Sequence, residues 1–246
     1  MCNGKLDPSD PSTLALRLDA VCARIRTAER AAGRPPGSIA LIAVSKTFPA
    51  EAVAAAARAG QKAFGESHVQ EAVGKIARLR SMPQSGPLQW HFIGPIQSNK
   101  TRPIAEHFDW VQSVDRIRIA ERLAAQRPPD RAPLQTLIEV NISGEASKSG
   151  VAPSEVTRLA QEIVRLPGLR LRGLMAIPAP GLPPPAQRAA FGRLRALLAA
   201  LRTALDGPPA AGIDTLSMGM SADFETAIAE GATMVRIGTA IFGERA

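Results

Sequence analysis

The sequence predicts a single-domain α/β fold, a (β/α)8 barrel with one extra N-terminal helix, and three observations carry that expectation. Eight apolar runs of strand length lie along the chain, at 39–46, 62–67, 88–95, 109–114, 135–143, 169–177, 214–220 and 234–242. Most successive starts are about 21–26 residues apart, room for one strand, one helix and two short loops. The runs are apolar almost throughout, as expected of parallel strands covered on their outer face. An open, doubly wound sheet would alternate in the same way. However, no G-x-G-x-x-G follows the first run, and eight units favour closure.

The first helix precedes all eight runs. Asp10 can cap it, Pro11 suits its first position, and Leu14, Leu18, Val21, Cys22 and Ile25 repeat at helical spacing until Gly33. Between the runs, AEAVAAAARAG follows Pro49 and stops at Gly60, and SEVTRLAQEIVRL follows Pro153. AQRAAFGRLRALLAALRTAL is a long amphipathic stretch ending before Gly207. The Pro-rich piece 178–187 is too short, and followed by too little chain, to be an interdomain linker, so it is expected as a loop after the sixth strand. The whole of 1–246 is expected as one domain, with 1–11 flexible.

Composition excludes several function classes. The 246 residues are 45% hydrophobic, yet no apolar run reaches membrane-spanning length, and the polar start MCNGKLDPSDPS lacks a signal peptide's apolar core. A cytoplasmic protein is expected. Two cysteines, Cys2 and Cys22, make neither a disulfide framework nor a metal cluster, and His68, His91 and His107 are not spaced as zinc ligands. The net charge of +8 comes from arginines scattered through helical stretches, without a nucleic-acid-binding signature.

In such a barrel the chemistry collects at the C-terminal strand ends and the loops beyond them. Lys46 ends the first run, where partial desolvation would lower its pKa and free its amine to attack a carbonyl. The last two strand ends, LSMGMSADFE and VRIGTAIFG, place Ser217, Gly219 and Ser221 in one turn and Gly238 and Thr239 after Arg236 in the next. Glycines let the backbone approach an anion, and helix N-termini offer N–H groups, so these two turns suit a phosphate. Asp223 and Glu225 would compete with that anion unless they point outward. Gly65, Gly94, Gln97, Ser98 and Asn99 suit polar ligand-orienting loops after the second and third strands, and His91 is expected as a satisfied interior histidine.

The segments AVSKTF, FGE-x-x-VQEA, WHFIGPIQSNK, NIS-x-E-x-SKSG, GLMAI, LSMGMSAD and VRIGTAIFGER together resemble the pyridoxal phosphate homeostasis proteins, the YggS or PROSC family, similar to the N-terminal barrel of alanine racemase. The resemblance runs from about residue 39 to 244. It implies pyridoxal 5′-phosphate as cofactor, held as a Schiff base on Lys46. It further implies Ser217, Gly238 and Thr239 as phosphate ligands, largely through backbone N–H groups, with Met218 and Gly219 lining that turn and Arg236 near the pyridine nitrogen. A permanently charged guanidinium there disfavours protonation of the ring, a weaker electron sink than an Asp partner would give. The chain departs from the family's usual FGEN, having Ser67 and His68 where an Asn and a Tyr or Arg are usual, so Ser67 stands in for the Asn contact with the ring.

The implied role is intracellular storage and delivery of the cofactor, as a monomer, possible recipients being apo-enzymes that need it. A racemase is the first alternative. Racemisation needs an acid/base group on each face of the α-carbon, whereas the sequence contains no Tyr and ends soon after the eighth strand, without the racemases' second domain. A Schiff-base aldolase acting on a sugar phosphate is the second, since the same phosphate turns would serve it. Lys148 is a candidate for a second, weaker adduct or for cofactor transfer, and Lys100 for a contact near the phosphate or an acidic partner.

Overall fold

The computed structural model describes residues 11–82, 86–145, 149–179, 181–205 and 208–244. Asp10, Cys2 and Lys148 lie outside the described residues, as does most of 1–11. Eight parallel strands pair in sequence order and close: β1 (Ala40–Val44), β2 (Ala63–Glu66), β3 (Gln89–Phe92), β4 (Trp110–Val114), β5 (Leu134–Glu139), β6 (Leu169–Met175), β7 (Thr215–Ser217) and β8 (Met234–Ile237). The expected barrel is therefore the observed one. Around it run α1 (Pro11–Ala31), α2 (Ala50–Arg58), α3 (Val69–Arg80), α4 (Thr101–His107), α5 (Ile117–Gln126), α6 (Val156–Ile163), α7 (Pro184–Ala204), α8 (Pro208–Ala211), α9 (Phe224–Ala229) and α10 (Thr239–Phe242).

Several strands end earlier than their apolar runs, and two boundaries differ in kind. The run 234–242 is a strand only to Ile237; Gly238 breaks it, and Ile241 and Phe242 bury their side chains from the helical turn α10 instead. In the Pro-rich piece, α7 already begins at Pro184, because proline's fixed φ and missing N–H suit a first helical turn.

Side chains of each strand alternate between the barrel interior and the layer under the helices. Ile42, Trp110, Leu137, Met175 and Met234 pack together inside, while Phe64, Phe92, Val111, Ile138 and Val235 join the larger core beneath the helices. This parity fixes what faces the mouth. Glu139 follows Leu137 inward, Arg236 follows Met234 inward, and Val44 continues the parity of Ile42, with Lys46 in the turn beyond it. Ser45 and Glu66 turn the other way, toward the helices. The closed ring also dictates Gly173: its φ is +150°, and an added Cβ would sit 2.0 Å from the Thr215 carbonyl oxygen.

The extra helix α1 is tied to the start of β1 by one carboxylate. Glu29, 1% exposed, accepts the N–H groups of Gly37 (3.1 Å) and Ile39 (2.9 Å). Leu14, Leu18, Val21 and Ile25 bury its apolar stripe against the barrel, with Cys22 partly buried beside them.

Candidate functional site

The C-terminal mouth gathers the residues expected there. β1 ends at Val44, so Lys46 stands two residues beyond the strand, partly buried, in a turn closed by the Phe48 N–H donating to the Ser45 carbonyl (3.1 Å). β8 pairs with β1 through Ala43↔Ile237, which carries Gly238 against the Val44 carbonyl; a Cβ there would lie 3.2 Å from that oxygen. On the other side, Val44 pairs with Gly65, and the backbone after β2 brings Ser67 beside it. Gly94 in turn abuts Ser67, where a Cβ would be 2.5 Å from the Ser67 carbonyl oxygen. Gly65 faces inward between Ile42, Val44 and Ile93, so a side chain there would fill the mouth.

Arg236 lies at the floor of this mouth, 4% exposed. Its guanidinium donates to the Ser217 hydroxyl (2.6 Å) and the Ala176 carbonyl (3.0 Å). Ser217 donates onward to Gln112 Oε1 (2.6 Å), and Gln112 Nε2 meets His91 Nδ1 (3.0 Å), whose Nε2 reaches Gln89 (3.0 Å). A polar chain therefore threads the barrel interior. Burial lowers the His91 pKa to about 3, so the ring is neutral and serves as a satisfied interior link, stacked on Trp110. Burial also lowers Arg236, to about 10, opposed by the nearby carboxylates of Glu139 and Asp223; it remains cationic at neutral pH.

The turns after β7 and β8 divide the expected phosphate duties unequally. The Ser217 hydroxyl is buried and committed to Gln112 and Arg236. Met218 buries its side chain in the core, while Gly219 holds φ +94° and accepts the Arg236 N–H (3.0 Å); an added Cβ would press on Ala227 at 2.7 Å. Asp223 does not point outward: it is buried and accepts the Met220 N–H (2.5 Å), closing its own turn. Burial raises its pKa. Glu225 does point outward and pairs with Arg24 (2.6 Å). The turn after β8 is simpler. Gly238 and Thr239 open α10 with first-turn N–H groups that the helix itself leaves without a partner. Ser221 and Gln97 also lie in loops on this face of the barrel, and Ser98, Asn99 and Lys100 form a 3-10 turn leading into α4.

Sequence reading missed two elements. Glu139 ends β5 inside the mouth, lining a cleft of about 300 Å³ with Ile93, Pro95, Asn141 and Ile177. Burial and then the neighbouring Asp115 raise its pKa to about 7 against the pull of Arg236. Its parity with Leu137 was the available signal. The second is a charged group behind the mouth, formed by the buried Glu66 and Lys75 and the partly exposed Glu71. Its signal was Lys75 on the stripe of α3 that also holds Ala72, Ile76 and Leu79. Another hollow, lined by Leu79, Arg80, Trp90, His107 and Arg131, lies at the opposite ends of β3 and β4, away from the face that carries chemistry in this fold. No group of metal-ligating side chains occurs among the described residues.

The model of the "Alanine racemase, N-terminal domain" family matches residues 16–246. A pyridoxal phosphate homeostasis protein of Pseudomonas aeruginosa is 58% identical over 234 residues, covering 95% of this chain and 96% of that one. The structure of PipY from Synechococcus elongatus with PLP bound superposes with a TM-score of 0.79 at 36% identity, covering 94% of this chain and all of that chain. Alanine racemase from Corynebacterium glutamicum, at 21% identity and a TM-score of 0.62, shares the fold over 91% of this chain and 60% of its own.

Proposed function

The chain belongs to the alanine racemase N-terminal domain family and, within it, to the pyridoxal phosphate homeostasis proteins, and on that footing we propose that it binds pyridoxal 5′-phosphate at the barrel mouth and holds it in reserve. One observation carries the reading. An amine (Lys46), a glycine-opened helical turn (Gly238 and Thr239) and a buried cation (Arg236) belong to one end of the barrel, because β8 pairs with β1, the turn with Lys46 follows β1, and the parity of β8 turns the arginine inward.

Each residue has a distinct task. The Lys46 amine would hold the cofactor through its aldehyde, releasing one water as it does so. Gly238 and Thr239 hold the phosphate by backbone N–H groups, with Gly219 and Met218 shaping the adjoining turn. Ser217 acts from beneath by fixing Arg236, whose charge keeps a proton off the pyridine nitrogen. Ser67 stands where the ring edge would lie, in place of a longer amide.

When bound, the cofactor supplies an electron sink. A charged Arg236 blunts it, and the chain contains no Tyr to serve as a second base, so storage is favoured over racemisation. The reading extends to a cytoplasmic monomer that passes its cofactor to apo-enzymes. Purified protein should be yellow with cofactor and should release it to an apo-enzyme faster than free dissociation accounts for. A protein that takes up no added cofactor would refute the proposal.

A further inference from the structure

The turn that presents Lys46 has an uncommon shape. Lys46 and Thr47 are its central residues, and Thr47 has φ +70°. A positive φ at the third position of a β-turn is where glycine is usual, and a β-branched residue adopts it reluctantly. Thr47 is the one such non-glycine residue among those described. Local preference alone does not hold this turn.

What holds it is α3. Lys75, buried on that helix, donates to the Ser45 carbonyl (2.9 Å), the peptide group immediately before Lys46. Glu71, one turn earlier on the same helix, accepts the Thr47 N–H (2.7 Å), the peptide group immediately after it. Lys75 also bridges Glu71 (3.1 Å) and the fully buried Glu66 (2.6 Å), and Glu66 accepts the Ser45 hydroxyl (2.6 Å). Both peptide units flanking Lys46 are therefore gripped by one charged cluster between α3 and the outer side of the strands. A cluster serving only to pack α3 on β2 would have no need to bond the Lys46 turn. Charged hydrogen bonds to backbone groups are the strong kind, suited to keeping a strained turn in one conformation.

We infer that Lys75 and Glu71, braced by Glu66, are positioning residues that fix the direction in which Lys46 projects. The inference rests on Lys46 being the attachment lysine. The protein uses a second lysine to aim the first.

The test compares the full-length protein with Lys75→Met, Glu71→Ala, Glu71→Gln and Lys46→Ala. Pyridoxal phosphate is titrated by absorbance, and borohydride-fixed adducts are mapped by peptide analysis, at a temperature where melting curves show each protein folded. Lys75→Met and Glu71→Ala should each bind about tenfold more weakly, the scale of one lost charged hydrogen bond. Both should also place a smaller share of adduct on Lys46. Glu71→Gln keeps an acceptor for the Thr47 N–H and should stay close to wild type. If Lys75→Met does not fold, the partly exposed Glu71 carries the test through its two variants. Lowered melting temperatures with unchanged affinity and adduct position would reduce the cluster to a stability role and overturn the inference. A wild type that takes up no cofactor, or fixes it away from Lys46, would instead sink the Lys46 reading and this inference with it.

Discussion

Arg236 and Ser217 face each other across the barrel interior, guanidinium to hydroxyl at 2.6 Å, on the neighbouring strands β8 and β7. The contact makes Ser217 a support for the buried cation, with its own O–H donating to Gln112 Oε1. Ser217→Ala leaves Gln112 Oε1 without that donor and Arg236 with one acceptor fewer. Loss of a buried, charge-assisted hydrogen bond costs about 2–3 kcal/mol. The cofactor-free protein should therefore lose that much stability in denaturant melts. An unchanged melt with weakened cofactor binding would instead assign the hydroxyl to the phosphate.

Glu139 sets a pH dependence. Its folded-state pKa of about 7 lies above the 4.5 of an exposed glutamate, so between these values the folded protein holds a proton the unfolded chain has lost. Its contribution to stability is present at the acid end and is lost as pH rises from about 4.5 to about 7. A difference of that size corresponds to about 3 kcal/mol. Glu139→Gln should flatten the stability curve across this window, and melts of cofactor-free protein at pH 5, 6, 7 and 8 would show it.

Gly238→Ala places a Cβ 3.2 Å from the Val44 carbonyl oxygen and 3.4 Å from its Cβ. The site is at the rim, so stability should change by no more than about 1 kcal/mol. The first turn of α10 must shift, however, and cofactor affinity should fall about tenfold, the effect of one good hydrogen bond to a charged group. Equilibrium dialysis and thermal melting separate the two quantities.

Thr47→Gly relieves the left-handed backbone at φ +70°. That conformation costs a non-glycine residue about 1–2 kcal/mol, part of which glycine returns through its greater freedom in the unfolded chain. A net gain of about 1 kcal/mol, seen as a rise of about 2–4 °C in melting temperature, is expected.

The barrel was legible in the sequence because parallel strands covered on both faces are apolar almost throughout, as in IALIAV. Strand ends were less so. Ile241 and Phe242 continue the apolar run beyond Gly238 while belonging to a helix, since a short buried helix and a strand end look alike to hydrophobicity. Lys46, Arg236 and Gly238 stood out as polar or glycine breaks at strand ends. Glu66 and Lys75 did not, because their pairing depends on Glu66 facing outward from β2 onto α3, a relation between faces that spacing along the chain does not contain. Asp223, which would compete with an anion unless it pointed outward, is instead buried on the Met220 N–H, a local competition that composition leaves open.

The most direct measurement is borohydride reduction of the protein saturated with pyridoxal phosphate, followed by peptide mapping. The adduct is expected on the peptide carrying Lys46, and Lys46→Ala should lose it together with the yellow absorbance. An adduct confined to Lys75, Lys100 or Lys148, or one that survives Lys46→Ala undiminished, would contradict the assignment.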